Sequence, residues 1–357
     1  MTSLYERLAD LPVTIDGYRL HQQQIANGGW TRLTTTVCLQ GGGHDGLGED
    51  VNYSADEQRS FLDRGATLNL AGTFTLDDFS RHLDTLDLFP APPESPASRN
   101  YRRWAFESAA LDLALRQSDT TLAEILQRRP QPVRFAASMS LGNPPSVEPV
   151  LARRIDKPSL EVKIDYDASW TPHFVDRLGE LGNIRVVDLK GLYVGSFSGP
   201  PPHPAMYKTI AEGLPDAILE DPADDAECAR VLGPHRDRVS WDANIHSIDD
   251  LKGLPYRPTI LNMKPSRFGR LRTLFDAYDH FLDASISLYG GGQYELGVGR
   301  GQIQYLASLF HGDAPNDVAP VKYHSLAHRK SWPDSPLSPS IDPSGFRWHD
   351  ASLDFPA

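Results

Sequence analysis

Five short apolar runs in the second half of the chain each end in one ionisable residue: LEVK at Lys163, RVVD at Asp188, AILE at Glu220, VSWD at Asp242 and TILNMK at Lys264. The intervals of about 25, 32, 22 and 22 residues each suit one strand, one loop and one helix. Three carboxylates between two amines form a chemical inventory. A hard divalent cation such as Mg2+ takes oxygen ligands and keeps positions open for substrate, so Asp188, Glu220 and Asp242 are candidate ligands. Lys163 and Lys264, before and after them, are candidate acid/base groups. Removing a proton next to a carboxylate puts extra negative charge on oxygen, in an enediolate, and a nearby cation stabilises that charge. Such a set suits racemisation, epimerisation, cycloisomerisation or elimination on a small-molecule carboxylate.

Chemistry of this kind needs elements that bring distant residues together. Repeated strand–helix units closing into a parallel barrel do so, because the carboxyl ends of the strands share one mouth. FAASMSL from Phe135 reads as a first buried strand, ASISLYGGG as a seventh and DVAPVKY as an eighth, with LGVGRGQIQYLASLFH as the helix between the last two. Before them, residues 17 to 40 alternate as strands around a glycine-rich hairpin, GGGHDGLGED. TLDDFSRHLDTLDLF and YRRWAFESAALDLALRQSD then carry helical spacing. The expected organisation is an α+β cap over 1–132, a TIM-type (β/α) barrel over 133–322 and a Pro-rich tail over 323–357 that packs on the cap. The long loop GLYVGSFSGPPPHP after Asp188 is a candidate specificity element or lid.

A chain of 357 residues with 40% hydrophobic and 23% charged content suits a two-domain soluble enzyme. The net charge of -12 excludes a basic footprint for nucleic acid, and no apolar run is long enough to span a bilayer. Two cysteines, Cys38 and Cys228, exclude a disulfide framework. The mixed polar start, MTSLYERLADLPVTI, has no signal-peptide pattern, so the expected location is cytoplasmic. The sequence leaves the subunit number open and is compatible with a homo-oligomer.

The order Lys, Asp, Glu, Asp, Lys on barrel strands two to six resembles the enolase superfamily, and specifically its muconate-lactonising-enzyme subgroup. The likeness runs from about Tyr18 to Tyr323 and includes GLGED, the helix ESAALDLALRQSDTTLAEIL, LEVKI, ILEDP, NMKPSRFG and YGGGQYELGVG. It implies an enolase-like modified barrel behind a capping domain, with Mg2+ on Asp188, Glu220 and Asp242 and with Lys163 and Lys264 as the acid/base pair. It also implies that cap loops near Ile25 to Thr31 and Glu49 to Ser54 choose the substrate. Three positions depart from the subgroup: Glu161 in place of the outer lysine of Lys-x-Lys, Lys190 where Asn is common and Ala243 where an acid is common. A mandelate-racemase-like scheme ranks lower, since the seventh strand offers no His and the sixth carries Lys264. Sugar-acid dehydration and a non-catalytic scaffold are the alternatives.

Supporting roles are expected of several neighbours. Lys190 would bind an oxyanion or a substrate carboxylate, or form a salt bridge, and Glu295 would orient Lys264. Gly290, Gly291 and Gly292 would bring backbone N–H groups to a carboxylate, or only form a tight turn. His324 and His328, four residues apart, lack a third metal ligand and are expected in a solvated tail. GVGRG lacks the glycine spacing of a dinucleotide site, and Asp221, Asp224, Asp225 and Glu227 are expected to begin a helix.

Overall fold

The computed structural model of the protein describes residues 2–27, 30–193, 198–324 and 330–349. The chain begins with a cap. Its elements are α1 (Glu6–Ala9), β1 (Pro12–Ile15), β2 (Gly17–Asn27), β3 (Trp30–Gly41), β4 (His44–Asp50), α2 (Ala55–Arg64), β5 (Gly72–Thr75), α3 (Leu76–Asp84), α4 (Ala97–Gln117) and α5 (Leu122–Leu126). Strands β2, β3 and β4 form an antiparallel sheet, as the alternating pattern of residues 17–40 requires. The glycines of GLGED have a packing reason. A Cβ on Gly46 would lie 2.3 Å from the Ala109 carbonyl oxygen and one on Gly48 would lie 2.1 Å from that of Ala105, so the backbone of α4 rests directly on β4.

ESAALDLALRQSDTTLAEIL, expected as one helix, is two. Asp119 takes a left-handed φ of 48°, and Thr121 and Glu124 then form a reciprocal capping box that starts α5. The pairing of β1 with β5 and the helix α2, begun by the Ser54 side chain accepting from Glu57 N–H, have weaker sequence signals and were not expected.

The barrel follows as β6 (Ala136–Ser140), α6 (Glu148–Arg154), β7 (Glu161–Asp165), α7 (Pro172–Leu181), β8 (Ile184–Asp188), α8 (Pro204–Gly213), β9 (Ile218–Glu220), α9 (Ala226–Leu232), β10 (Val239–Ser240), β11 (Ile260–Met263), α10 (Pro265–Phe268), α11 (Leu271–Asp283), β12 (Ser287–Gly290) and α12 (Val298–Phe310). Strands β6 to β10 run parallel in sequence order, and β11 pairs in parallel with β12. The two sheets join where Asn262 N–H donates to the Trp241 carbonyl at 3.2 Å. Asp317 N–H donates to Gly290 O at 2.7 Å, and Ala136 N–H donates to Asn316 O at 2.8 Å, which closes the ring. The eighth strand is thus reduced to Asn316 and Asp317. DVAPVKY, expected as a full strand, leaves the ladder after Asp317 and forms a 3-10 turn at Val321–His324, because Pro320 has no N–H to give a ladder.

Beyond the barrel, the segment 330–349 runs back to the cap. Gly345 N–H donates to Thr120 O at 2.8 Å, Phe346 N–H to Asp112 Oδ1 at 2.8 Å, and Phe346 packs edge-on against Trp104. Two other latches join cap to barrel. Glu49, fully buried at the end of β4, accepts from the backbone N–H groups of Leu296, Gly297 and Gly299 at 2.7 to 3.0 Å and so caps the start of α12. Arg32 on β3 donates to the carbonyls of Val51 and Asn52 on one side and of Gln293 and Tyr294 on the other. Replacing Glu49 by alanine strands those amides in the interior. The expected loss is about 3 kcal/mol of unfolding free energy, read from the urea midpoint, because charged hydrogen bonds with no water to replace them are the costly ones to remove.

Candidate functional site

Strand register sets the site. Asp188 on β8 is the direct partner of Glu220 on β9, and Glu220 is the partner of Ser240 on β10. Asp242 lies two residues past Ser240 and Lys264 one residue past β11, so every one of these side chains stands at a carboxyl end of the barrel. All five of Lys163, Asp188, Glu220, Asp242 and Lys264 are buried.

Each candidate carboxylate already holds a cation. Lys163 Nζ contacts Glu220 Oε1 and lies 3.4 Å from Asp317 Oδ2. Lys264 Nζ donates to Asp242 Oδ2 at 2.6 Å, and Arg267 donates to the Asp242 carbonyl at 2.7 Å. Lys190 Nζ lies 3.0 Å from Asp188 Oδ2 and 3.2 Å from Asp165 Oδ1. The second oxygen of Glu220 accepts from Asn262 Nδ2 at 2.9 Å and from the Tyr289 hydroxyl. Asp221, the next residue, accepts from Asp242 N–H at 2.7 Å and Ala243 N–H at 3.0 Å.

Electrostatics follow from burial and these pairs. Burial pulls the Lys163 pKa down, but Glu220, Asp317 and Asp188 outweigh it and hold the ammonium well above its ordinary value. Lys264 is likewise raised, with Asp242 overcoming burial, and Lys190 is raised against burial by Asp188 and Asp165. Burial pushes the carboxyls of Asp165, Glu220 and Asp221 up, and in each case neighbouring carboxylates add to the push. Asp242 alone is depressed, because Arg267 and both lysines overcome its burial.

The donor set fits a small divalent cation in charge and in type. Six carboxylates (Asp165, Asp188, Glu220, Asp221, Asp242 and Asp317) face four cations (Lys163, Lys190, Lys264 and Arg267), which leaves two negative charges uncompensated when all are ionised. The Asp242 Oδ1 atom is buried with no hydrogen-bond partner. In this arrangement the ammonium groups sit on the carboxylates, and among the described residues no three His, Cys, Asp or Glu side chains are grouped as a ready metal cage.

Several supporting expectations need correction. Glu295 does not reach Lys264: it accepts from Gln293 N–H at 2.6 Å and pairs with Arg300 at 3.0 Å, since the loop turns it toward α12. Gly291 does not offer a free N–H, because that group donates to Met263 O at 2.9 Å. Its lack of a side chain serves another purpose: a Cβ there would lie 2.7 Å from Lys264 Cε and 2.4 Å from Asn262 Oδ1, so glycine makes room for the lysine. At Gly292 a Cβ would lie 2.4 Å from Glu295 Oε2. Asp221 begins no helix; Asp225 does, accepting from Glu227 and Cys228 N–H. His324 is not solvated but stacks on Tyr294 at 4.0 Å between ring centroids, while His328 lies outside the described residues. Residues 194–197 of the long loop and 28–29 of the first cap loop also lie outside them.

Residues the sequence reading missed are Asp165, Asn262, Arg267, Tyr289 and Asp317. A two-residue offset was the available signal for two of them, since Asp165 and Asn262 share the strand faces of Lys163 and Lys264. Arg267, one turn after Lys264, and Asp317 belong to segments whose path the pattern does not fix. Lys190, Asp221 and Tyr294 each adopt a left-handed φ at this mouth, where such conformations tend to mark functional positions.

The chain matches the models for the N-terminal and C-terminal domains of a domain of unknown function, DUF8230, over residues 6–125 and 129–325. It is 29% identical over 129 residues to the o-succinylbenzoate synthase of Bacillus subtilis (strain 168), a stretch that is 35% of this chain and 33% of that relative. The aligned part therefore spans about a third of the relative's length. Among solved structures, the mandelate racemase/muconate lactonizing enzyme from Roseiflexus sp. aligns over 94% of this chain and 98% of its own with a TM-score of 0.69 at 16% identity. The muconate cycloisomerase from Pseudomonas fluorescens aligns over 86% and 87% with a TM-score of 0.63 at 16% identity. At these identities the likeness establishes a capped, TIM-type barrel of the enolase-superfamily kind. This chain belongs to the DUF8230 family and carries the enolase-superfamily fold.

Proposed function

We propose that the protein is a Mg2+-dependent isomerase or lyase that removes the proton α to the carboxylate of a small molecule. The observation that carries this reading is the convergence of two buried lysines, Lys163 on β7 and Lys264 after β11, on carboxylates at one barrel mouth. Asp188, Glu220 and Asp242 would hold Mg2+, and the unpartnered Asp242 Oδ1 supports that assignment. When bound, the ion supplies positive charge beside the substrate carboxylate and lowers the cost of the negative charge that builds there.

The lysines do the proton work. Lys163 Nζ accepts or returns the α-proton from one side and Lys264 Nζ acts from the other, each needing its neutral form for the accepting step. The carboxylates that hold these ammonium groups charged are the same ones assigned to the ion, so ion and ammonium compete for them. Asn262 and Tyr289 fix the second oxygen of Glu220, and Asp221 fixes the backbone of Asp242 and Ala243, which keeps the acids from turning away.

Two measurements test the reading. Titration calorimetry of the full chain is expected to register Mg2+ binding at millimolar concentration or tighter, and Asp242→Asn is expected to weaken it by about tenfold or more; no binding by the wild type overturns the metal assignment. Exchange of an α-proton for solvent deuterium across libraries of acid sugars, N-acyl amino acids and dipeptides is expected to fall by at least a factor of about 100 in Lys163→Ala or Lys264→Ala. Folded variants that both keep full exchange overturn the acid/base roles.

A further inference from the structure

Lys190, two residues past the end of β8, reaches two carboxylates at once. Asp165 and Asp188 are direct register partners on β7 and β8, so their side chains leave the sheet side by side. The Lys190 ammonium bridges them, 3.2 Å from Asp165 Oδ1 and 3.0 Å from Asp188 Oδ2. The backbone of the same residue closes on Asp188 a second time, with Lys190 N–H donating to Oδ1 at 3.0 Å. Both oxygens of Asp188 are therefore taken by one residue.

The loop builds this contact. Lys190 takes a left-handed φ of 51°, which brings its side chain back over the strand it has just left, and a lysine adopts that conformation only where its surroundings hold it. Here Gly191 N–H donates to Asp221 O at 2.8 Å and Tyr193 N–H donates to Lys190 O at 3.3 Å. Gly199 packs so closely that a Cβ on it would lie 1.8 Å from the Lys190 carbonyl oxygen. The main chain at Lys190 is thus fixed, and the part left to move is its flexible four-carbon stem.

That stem also has a way out. The Lys190 side chain is 16% exposed, against 3% for Lys163 and 8% for Lys264. Asp165 is 30% exposed and Asp188 only 3%, so the bridge has a wet end and a dry end. The dry end is the carboxylate assigned to the ion. A divalent cation and an ammonium held by the same two oxygens repel each other, and in the interior water does little to screen them. Loading the site therefore asks the ammonium to let go of Asp188, and Asp165 already offers it another anion at hydrogen-bond distance.

We propose that Lys190 is a built-in competitor for the metal ion at Asp188 and that Asp165 is its alternative seat: the ammonium covers Asp188 in the unloaded chain and pivots to Asp165 alone as the site loads. The inference rests on the metal assignment of the proposed function. It adds two positioning residues that hold no metal and touch no reacting atom. The pair keeps two adjacent carboxylates neutralised before loading, and it sets the ion affinity below what the three ligands alone would give.

The test is Mg2+ titration of the full chain by calorimetry in the wild type, Lys190→Met, Asp165→Asn and the double variant. Lys190→Met, which keeps the length and removes the charge, is expected to bind Mg2+ about tenfold or more tighter than the wild type, the size of one lost charged hydrogen bond. Asp165→Asn is expected to weaken binding by about threefold or more, because the ammonium then has no seat but Asp188, and to change it by less than about twofold once Lys190 is Met. A Lys190→Met chain that binds no tighter overturns the inference, as does an Asp165→Asn loss of equal size in both backgrounds, which would mark a general field and not a seat for the lysine. Should Lys190→Met not fold without the ion, Lys190→Gln is read by thermal unfolding with and without Mg2+. A larger rise in melting temperature than the wild type shows supports the competition, and an equal or smaller rise overturns it. Binding by the wild type with no gain in the lysine variants ends this inference alone, whereas no binding by any chain ends the metal assignment and the inference with it.

Discussion

The constraint on which this molecule turns is the burial of like charge at one end of a barrel. Asp188, Glu220, Asp221 and Asp242 leave water on adjacent strands, and carboxylates so placed raise one another's cost of ionisation. The fold meets that cost with ammonium and guanidinium groups from neighbouring strands. Lys163 crosses from β7 to Glu220, Lys264 stands over Asp242 with Arg267, and Lys190 bridges Asp188 and Asp165. Apart from Lys190 and Asp188, which stand two residues apart, these contacts link different strands or different loops, so the charge balance depends on the ring being closed. A barrel opened at Asn316 and Asp317 would lose the Lys163 partner Asp317 together with the ladder bonds.

Closing the mouth is the second demand, and the cap meets it with backbone chemistry more than with apolar contact. Glu49 grips the first amides of α12, Arg32 ties two cap carbonyls to two carbonyls at the exit of β12, and Asn100 on α4 donates to Arg267 O at 2.6 Å. These latches end at the barrel segments that carry the site. Arg267 backs Asp242, and the Gln293–Tyr294 segment leads to the His324 stack. Arg32 therefore ties the cap loop around Val51 and Asn52 directly to the Gln293–Tyr294 segment. A buried guanidinium shared among four carbonyls has few alternative positions, so such a connection is stiff.

The barrel and the ionisable quintet were legible because buried parallel strands write continuous apolar runs and the charge at each run's end breaks them. LEVK, RVVD and AILE end at Lys163, Asp188 and Glu220 on β7, β8 and β9, with Asp188 and Glu220 in register and Lys163 two residues short of Asp165, the β7 partner of Asp188. What pairs with each charge was less legible, since partners come from strands 20 or more residues away and from loops whose direction no periodicity fixes. Glu295 shows the difficulty: its place after β12 is plain in YGGGQYE, yet the turn carries it to Arg300 and not to Lys264. Gly291 shows a similar difficulty: expected to bring an N–H to a carboxylate, it instead makes room for the Lys264 side chain. The eighth strand was overread because the alternation of DVAPVKY is the same whether Pro320 sits in a ladder or beyond one.

The three departures from the muconate-lactonising pattern make physical sense together as redistributed charge. Glu161 starts β7, at the opposite end of that strand from the mouth, where Arg134 at 2.6 and 2.7 Å and Arg185 at 2.7 Å neutralise it. A lysine there would face two guanidinium groups, so the acid belongs to the barrel floor and takes no part at the mouth. Ala243 adds no acid beside Asp242, and its N–H is held by Asp221 instead. Lys190 adds a cation next to Asp188 that an asparagine would not supply. One acid fewer and one cation more at the mouth weaken its pull on positive charge.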